Sequence, residues 1–270
     1  MNATLVMKFG GAAVASPEKF SEIADIILAR QQAYRHIVIV VSAMGDTTDQ
    51  LIALAKKVNP HPPKREYDML VTVGERISIS LLAMALAAKQ REAISFTGSQ
   101  SGIITSARHT EAAIVDVRPH RIIKGLEANK IVIVAGFQGV SQSGDITTLG
   151  RGGSDTTAVA LGVALKADKV EFYKDVPGIF EQDPKHHPHA ALLPSLSYEL
   201  ALQIVNQGAK VLHSRCIQLA WKNNLPLHVR SFQNFSSAKS PGTVIMQIGQ
   251  ACNPTPIYEE HDLECQEVIV

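Results

Sequence analysis

Thr147-Thr148-Leu149-Gly150-Arg151-Gly152-Gly153-Ser154-Asp155-Thr156-Thr157 runs directly into an apolar helical pattern over residues 158–165. Gly150, Gly152 and Gly153 permit backbone conformations closed to other residues and let a ligand approach the chain closely. Ser154 or Asp155 is predicted to cap the helix that follows, so the stretch reads as a tight turn presenting an anion to a positive helix end. Arg151 adds a planar fork that suits a carboxylate or a pair of phosphate oxygens. No phosphate loop ending in Gly-Lys-Ser/Thr and no Gly-x-Gly-x-x-Gly occurs, so the common nucleotide folds are not the template.

Working outward, the chain alternates short apolar runs with helical spacing. Residues 5–9 form a buried strand stopped by Gly10-Gly11, and Ser16-Pro17 opens a helix carrying Phe20, Ile23, Ala24, Ile27 and Leu28. A second strand (37–41) runs into Ser42-Ala43, followed by a helix with Leu51, Leu54, Ala55 and Val58. Then come a Pro-rich linker, a helix holding Glu75 and Arg76, a strand at 93–97, a helix around 118–128 and a strand at 131–135. Residues 137–141 and 146–149 read as a hairpin, 170–173 as a strand, 174–185 as a long irregular loop, and 227–231 and 243–248 as closing strands. Alternation of this kind predicts an α/β fold, a three-layer α/β/α sandwich on a mostly parallel sheet. Ligands bind outside the carboxyl ends of such strands, so the loops at Gly10-Gly11, Ser42-Ala43, Gly136-Phe137 and Gly150-Arg151 are expected on one edge.

Composition bounds the function. The 270 residues carry 26 basic and 25 acidic side chains, a net charge of +1, which points to neither nucleic acid nor a membrane surface as partner. A hydrophobic content of 46% with 5% aromatics suits an aliphatic α/β protein rather than a disordered chain. Cys216, Cys252 and Cys265 are odd in number and far apart, which predicts a reducing compartment, no structural disulfide and a cytoplasmic location. The apolar run 81–88 is too short to span a bilayer. Residues 1–248 are read as one domain and 249–270 as a short acidic tail after an Asn253-Pro254-Thr255-Pro256 linker.

Lys8-Phe9-Gly10-Gly11, Gly74-Glu75-Arg76-Ile77-Ser78, Phe96-Thr97-Gly98-Ser99-Gln100, the Thr147 to Thr157 stretch, Asp175-Val176-Pro177-Gly178 and Gly208-Ala209-Lys210-Val211-Leu212 stand in the order seen in the catalytic domain of aspartate kinases. The chain thus resembles the amino acid kinase superfamily over roughly residues 4–246. The resemblance implies transfer of the γ-phosphoryl of ATP to the β-carboxylate of L-aspartate, a reaction that needs positioning and charge neutralisation. It implies Lys8, Asp155 and Lys210 as catalytic residues, with Lys8 between donor and acceptor. Ser42, Glu75, Phe137, Arg151 and Asp155 would form the amino-acid pocket, Arg151 for the carboxylate and Glu75 for the ammonium. Lys8, Gly10, Gly11, Lys174, Asp175, Phe180, Lys185 and Lys210 would hold the nucleotide. Mg²⁺ is expected with ATP, held by phosphate oxygens and water rather than by a protein site. A homodimer through the catalytic domain is the expected assembly.

The chain departs from the family pattern in places. Ala12-Ala13 replaces a Thr-Ser pair and loses two hydroxyls near the acceptor, which bears on catalytic efficiency; Lys174 replaces a common Thr and Phe180 a common Tyr. His186, His187 and His189 lie in a proline-flanked loop without acidic or cysteine partners and read as solvated. Two other readings remain: a superfamily kinase of the N-acetylglutamate or uridylate type, or a catalytically weakened subunit of a hetero-oligomer. Arg151, Asp155 and Glu75 favour a free amino acid over the first; Lys8, Asp155 and Lys210 argue against the second. Aspartate kinases commonly carry regulatory domains after the catalytic one, and residues 249–270 are too few to build one, so insensitivity to lysine and threonine is expected.

Overall fold

The computed structural model describes residues 3–182, 184, 186–187, 189–233, 241–247 and 255–259. Its elements are β1 (Thr4–Phe9), α1 (Lys19–Arg30), β2 (His36–Val41), α2 (Thr47–Val58), α3 (Lys64–Val71), α4 (Val73–Ala88), β3 (Ala93–Phe96), β4 (Ile103–Thr105), β5 (Ile114–Val117) and α5 (His120–Glu127). There follow β6 (Ile131–Ala135), β7 (Gln138–Ser141), β8 (Ile146–Thr148), α6 (Gly153–Ala164), β9 (Lys169–Lys174), β10 (Ser195–Leu196), α7 (Tyr198–Asn206), α8 (Ser214–Asn223), β11 (Leu227–Ser231) and β12 (Thr243–Ile245).

The main sheet has eight strands in the order β10-β12-β11-β9-β1-β2-β6-β3. From β11 to β3 every neighbouring pair is parallel, and β12 runs antiparallel to β11. Central β1 is buried throughout, and its two-residue alternation assigns its side chains. Leu5, Met7 and Phe9 enter the core under α1 and α4, with Phe9 stacked on Tyr173 at 4.7 Å between ring centroids. Val6 enters the core of α5, α6, α7 and α8, and Lys8, on the same side, reaches α6. The result is the three-layer α/β/α sandwich expected.

Several readings of local structure change. The hairpin β7–β8 belongs to a four-stranded second sheet, β5-β4-β7-β8, whose first two strands are short and, unlike β7 and β8, are not joined by a Gly-containing tight turn that marks them. Helix α1 begins at Lys19, and Ser16-Pro17 lies in the turn before it, where the Lys19 N–H reaches the Ser16 carbonyl. In α2 the apolar stripe is not core: Leu54 and Val58 are exposed and only Ala55 is buried. The loop read from Lys174 onward folds back on itself, bridged at Phe180 and Leu192, with the Ile179 N–H donating to Thr243 Oγ1 at 2.8 Å. Helix α7, capped by Ser197, follows it.

Helices α3 and α4 form a nearly continuous stretch over residues 64–88, long and apolar enough to cross a membrane by length and composition alone and well beyond the 81–88 run. It is interrupted at Thr72, carries buried Asp68 and Glu75, and packs Ile79, Leu82 and Leu86 into the core under the sheet, as a core helix does. The boundary drawn at residue 248 falls outside the described residues. Residues 255–259 lie against α8: the Ile257 N–H and carbonyl pair with the Asn223 side chain at 2.8 and 2.7 Å.

Close approach of the two sheets depends on Gly98. A Cβ there would lie 2.0 Å from the Gln138 carbonyl oxygen, a backbone atom that cannot swing aside. Gly98→Ala should therefore cost about 2 kcal/mol or more, seen as a fall of roughly 5 °C or more in Tm; an unchanged melt would show that the sheets separate freely.

Candidate active site

The carboxyl ends of β1, β2 and β6 open on one edge of the main sheet, where a cleft of about 360 Å³ collects the predicted loops. It is lined by Lys8 in β1 and Gly11 after it, Ser42 after β2, Glu75 on α4, Phe137 after β6, and Gly150 to Asp155 leading into α6. All five predicted amino-acid residues, Ser42, Glu75, Phe137, Arg151 and Asp155, are thus brought together.

Asp155 does not cap its helix. The N-cap is Gly152, left-handed at φ 70°, and no side chain bonds the free amides there, so the expected cap at Ser154 or Asp155 is corrected. Asp155 instead sits one turn in, where the helix end favours a carboxylate, and spends both oxygens on lysines. Lys8 Nζ lies 2.6 Å from Oδ1 and Lys174 Nζ 3.2 Å from Oδ2. Burial alone would raise the Asp155 pKa, but Lys8 and Lys174 outweigh it and hold the carboxyl below its ordinary value. Burial lowers the Lys8 pKa, against the pull of Asp155. The prediction that Lys174 binds nucleotide meets a finding here: its ammonium faces Asp155, beside Lys8.

Glu75 is the unusual charge. It is 3% exposed; Oε1 accepts the Ala43 N–H at 3.2 Å, and Oε2 is buried with no hydrogen-bond partner among the described residues. Burial raises its pKa to about 7. An orphaned buried carboxylate oxygen is costly and calls for a cationic donor. Opposite in sign, Arg151 is exposed and without an ion-pair partner among the described residues, free to take an anion. Phe137 holds a left-handed φ of 70°, strained for a side chain, with its N–H donating to Thr157 Oγ1 at 3.2 Å.

The glycine-rich turn is fixed from outside. Asp68, fully buried on α3, accepts from Thr148 Oγ1 at 2.7 Å, the Thr148 N–H at 3.2 Å and the Thr110 N–H at 3.0 Å, and contacts His109 at 2.9 Å. Arg215 on α8 donates to the Leu149 carbonyl. At Gly152 a Cβ would fall 2.3 Å from the His213 ring. Sequence reasoning missed Asp68 and Arg215, which lie far along the chain, and it missed Gly45 and Thr48 as lining residues. A left-handed glycine closing a buried strand was the available signal for Gly45, whose φ is 52°.

The predicted nucleotide residues are not all gathered. Gly10 adjoins the Lys8 ammonium and Gly11 lines the cleft, whereas Asp175, Phe180 and Lys210 stand outside its lining, Asp175 and Lys210 exposed and Phe180 half-buried. Lys185 lies outside the described residues. Ala12 is exposed and Ala13 sits in the core under α1 and α4, and neither lines the cleft. Among the described residues no cluster of three His, Cys, Asp or Glu side chains is arranged to hold a metal.

A parallel α/β sheet whose strand ends gather a buried lysine, a glycine-rich turn and two buried carboxylates is an amino acid kinase fold, and the chain belongs to the Amino acid kinase family, whose sequence model matches residues 3–231. Within it the chain is 52% identical to the aspartokinase of Mycolicibacterium smegmatis over 244 residues, 90% of this chain and 57% of that protein. It is 49% identical to aspartokinase 2 of Bacillus subtilis over 241 residues, 89% of this chain and 58% of that protein. The chain therefore spans a little over half the length of these relatives. Among solved structures, an aspartate kinase from Synechocystis superposes with a TM-score of 0.83 at 40% identity, covering 96% of this chain and 42% of that one. E. coli aspartokinase III in complex with aspartate and ADP gives 0.80 at 26% identity, covering 90% of this chain and 64% of that one. A Bacillus anthracis UMP kinase, at 21% identity, covers 93% of this chain and 98% of that one, and its TM-score of 0.64 reflects the shared fold.

The folded Glu75 titrates near 7 against an ordinary 4.5. The folded protein thus keeps a proton that the unfolded chain loses, and stability falls as pH rises through that window, by roughly 3 kcal/mol once above it. Glu75→Gln should accordingly raise Tm at pH 8 and leave it nearly unchanged at pH 4.5 in the ligand-free protein. Equal melts of the two proteins at pH 8 would show that Glu75 is not buried as a charge.

Proposed function

We propose that this chain is an aspartate kinase, transferring the γ-phosphoryl of ATP to the β-carboxylate of L-aspartate to give 4-phospho-L-aspartate. The observation that carries the reading is the orphaned Glu75 oxygen sharing one cleft with unpaired Arg151 and with Lys8: an ammonium acceptor, a carboxylate fork and a phosphoryl-directed cation. A zwitterion with a second carboxylate matches that set. N-acetylglutamate and UMP carry no ammonium for Glu75. The relatives named aspartokinase support the same acceptor.

In this reading Glu75 takes the substrate ammonium and Arg151 its α-carboxylate, which aims the β-carboxylate toward Lys8. The Lys8 ammonium, held by Asp155, neutralises charge as the phosphoryl moves, with Gly10 leaving open the space beside it. Lys174, on the same carboxylate, adds a second cation at the carboxyl end of β9. Lys210, Asp175, Phe180 and Lys185 are assigned to the nucleotide. Bound with ATP, Mg²⁺ supplies further neutralisation at the phosphates. The available carboxylates fit this: Asp155 is committed to two lysines and Asp175 is exposed, leaving the ion to phosphate oxygens and water. A cytoplasmic location accompanies the reading. So does a homodimer through the kinase unit, for which Met69, Val73, Ile77 and Met84 form an exposed apolar stripe along α3 and α4. Ile77→Glu should then yield monomers by light scattering.

ADP release measured across aspartate, N-acetylglutamate, glutamate and UMP tests the acceptor: aspartate alone should turn over well, and preference for another would replace the reading. Lys8→Met should lower kcat by about a hundredfold or more with little change in Tm, because Lys174 still pairs Asp155. Arg151→Lys should raise the aspartate KM while sparing ATP. Because the ammonium needs ionised Glu75, the aspartate KM should rise about tenfold per pH unit below 7 in wild type and stay flat in Glu75→Gln.

A further inference from the structure

Gly150 and Gly152 are both left-handed, at φ 71° and 70°, and Arg151 stands between them. A turn of this composition has little stiffness of its own, since glycine loses more conformational freedom on ordering than any other residue. Arg151 is exposed and bonds nothing described that would hold it. Its aim must come from the anchoring of the turn's ends.

The anchor at Leu149 is built from distant parts of the chain. Arg215 donates one guanidinium nitrogen to the Leu149 carbonyl and another to the Ala112 carbonyl at 2.6 Å. Its remaining donors grip both oxygens of Glu259, one of these contacts at 2.6 Å. Glu259 is tied in turn to the start of β5: its carboxylate accepts the Ile114 N–H at 2.7 Å and its own N–H donates to the Ile114 carbonyl at 3.1 Å. Asn223 on α8 clamps Ile257 two residues earlier. Charge-assisted bidentate contact fixes a guanidinium plane far better than a lone carbonyl would. A C-terminal segment outside the sandwich therefore holds the arginine that holds the turn.

We propose that Glu259 and Arg215 are a positioning pair for the acceptor side of the cleft: residues 257–259 act as a strap that orients Arg215, and Arg215 orients the glycine-rich turn carrying Arg151. The proposal rests on the reading of Arg151 as the substrate-carboxylate ligand only for its kinetic consequence; the mechanical link stands on the contacts themselves.

Two measurements on Glu259→Gln test it. Amide hydrogen exchange across 149–153 should quicken about tenfold, the weight of one charge-assisted hydrogen bond, while exchange at Gly11, which lines the cleft from the end of β1, stays as in wild type. The aspartate KM should rise by a similar factor, with the ATP KM within about twofold. Should Glu259→Gln fail to fold, Asn223→Ala, which releases Ile257 without removing a charge, should give the same selective changes at smaller size. Unchanged exchange at 149–153 in a folded variant overturns the proposal, as does equal quickening at Gly11. If wild type does not phosphorylate aspartate, the functional reading fails, and the exchange result still decides the strap.

Discussion

The ion pair between Lys8 and Asp155, 2.6 Å apart and almost fully buried, is the contact on which the site depends. Two charges taken out of water cost several kcal/mol each unless their geometry is good, and a lost partner strands the other unless a further charge still pairs it. Here the partners come from the two most constrained elements, the central strand β1 and helix α6, every residue of which from Gly153 to Val163 is buried. Neither element can shift without disturbing the core, so the ammonium is held where it is. Lys174 makes the arrangement a triad, giving the carboxylate a second cation and the site a net positive charge.

Glu75 illustrates the opposite bargain. Its carboxylate enters the core side of the cleft on α4 with one oxygen bonded to the Ala43 amide and one left bare. A protein built for stability alone would have an apolar side chain or a partner there. Leaving the oxygen unsatisfied destabilises the ligand-free state at neutral pH, and under the function proposed above the substrate ammonium supplies the missing interaction.

Between these charges the glycine-rich turn is flexible by composition and rigid by attachment. Asp68 holds the strand that enters it, through Thr148, and Arg215 holds the carbonyl at its start. His213 fills the space that any side chain at Gly152 would need. The supports of the turn are thus spread over α3, α8 and the segment at 257–259, none of which lines the cleft.

Much of this was legible in the residues. Alternation of apolar runs with helical spacing carried the parallel sheet and its strand-end loops, because a strand buried on both faces and a helix buried on one leave different periods in the chain. The motifs carried Lys8, Glu75, Arg151 and Asp155 into one site before any geometry was known. What the residues could not carry was who pairs with whom. Asp155 looked like a helix cap, since a local amide is the nearest partner in sequence, yet the fold brings Lys8 and Lys174 closer. The helical spacing of Leu54 and Val58 marked a helix correctly but not its burial, since periodicity reports a face and not what covers it, and both are exposed. Strands β4 and β5 are short and have no Gly-containing tight turn between them to mark them. Asp68, Arg215 and Glu259 carry no local signal in the chain; packing places Asp68 on Thr148 and Arg215 on Leu149, with Glu259 on Arg215. Local order follows from each residue's own backbone and side-chain preferences and is written in sequence neighbours; the pairing of charges depends on distances across the core, which only the closed tertiary structure determines.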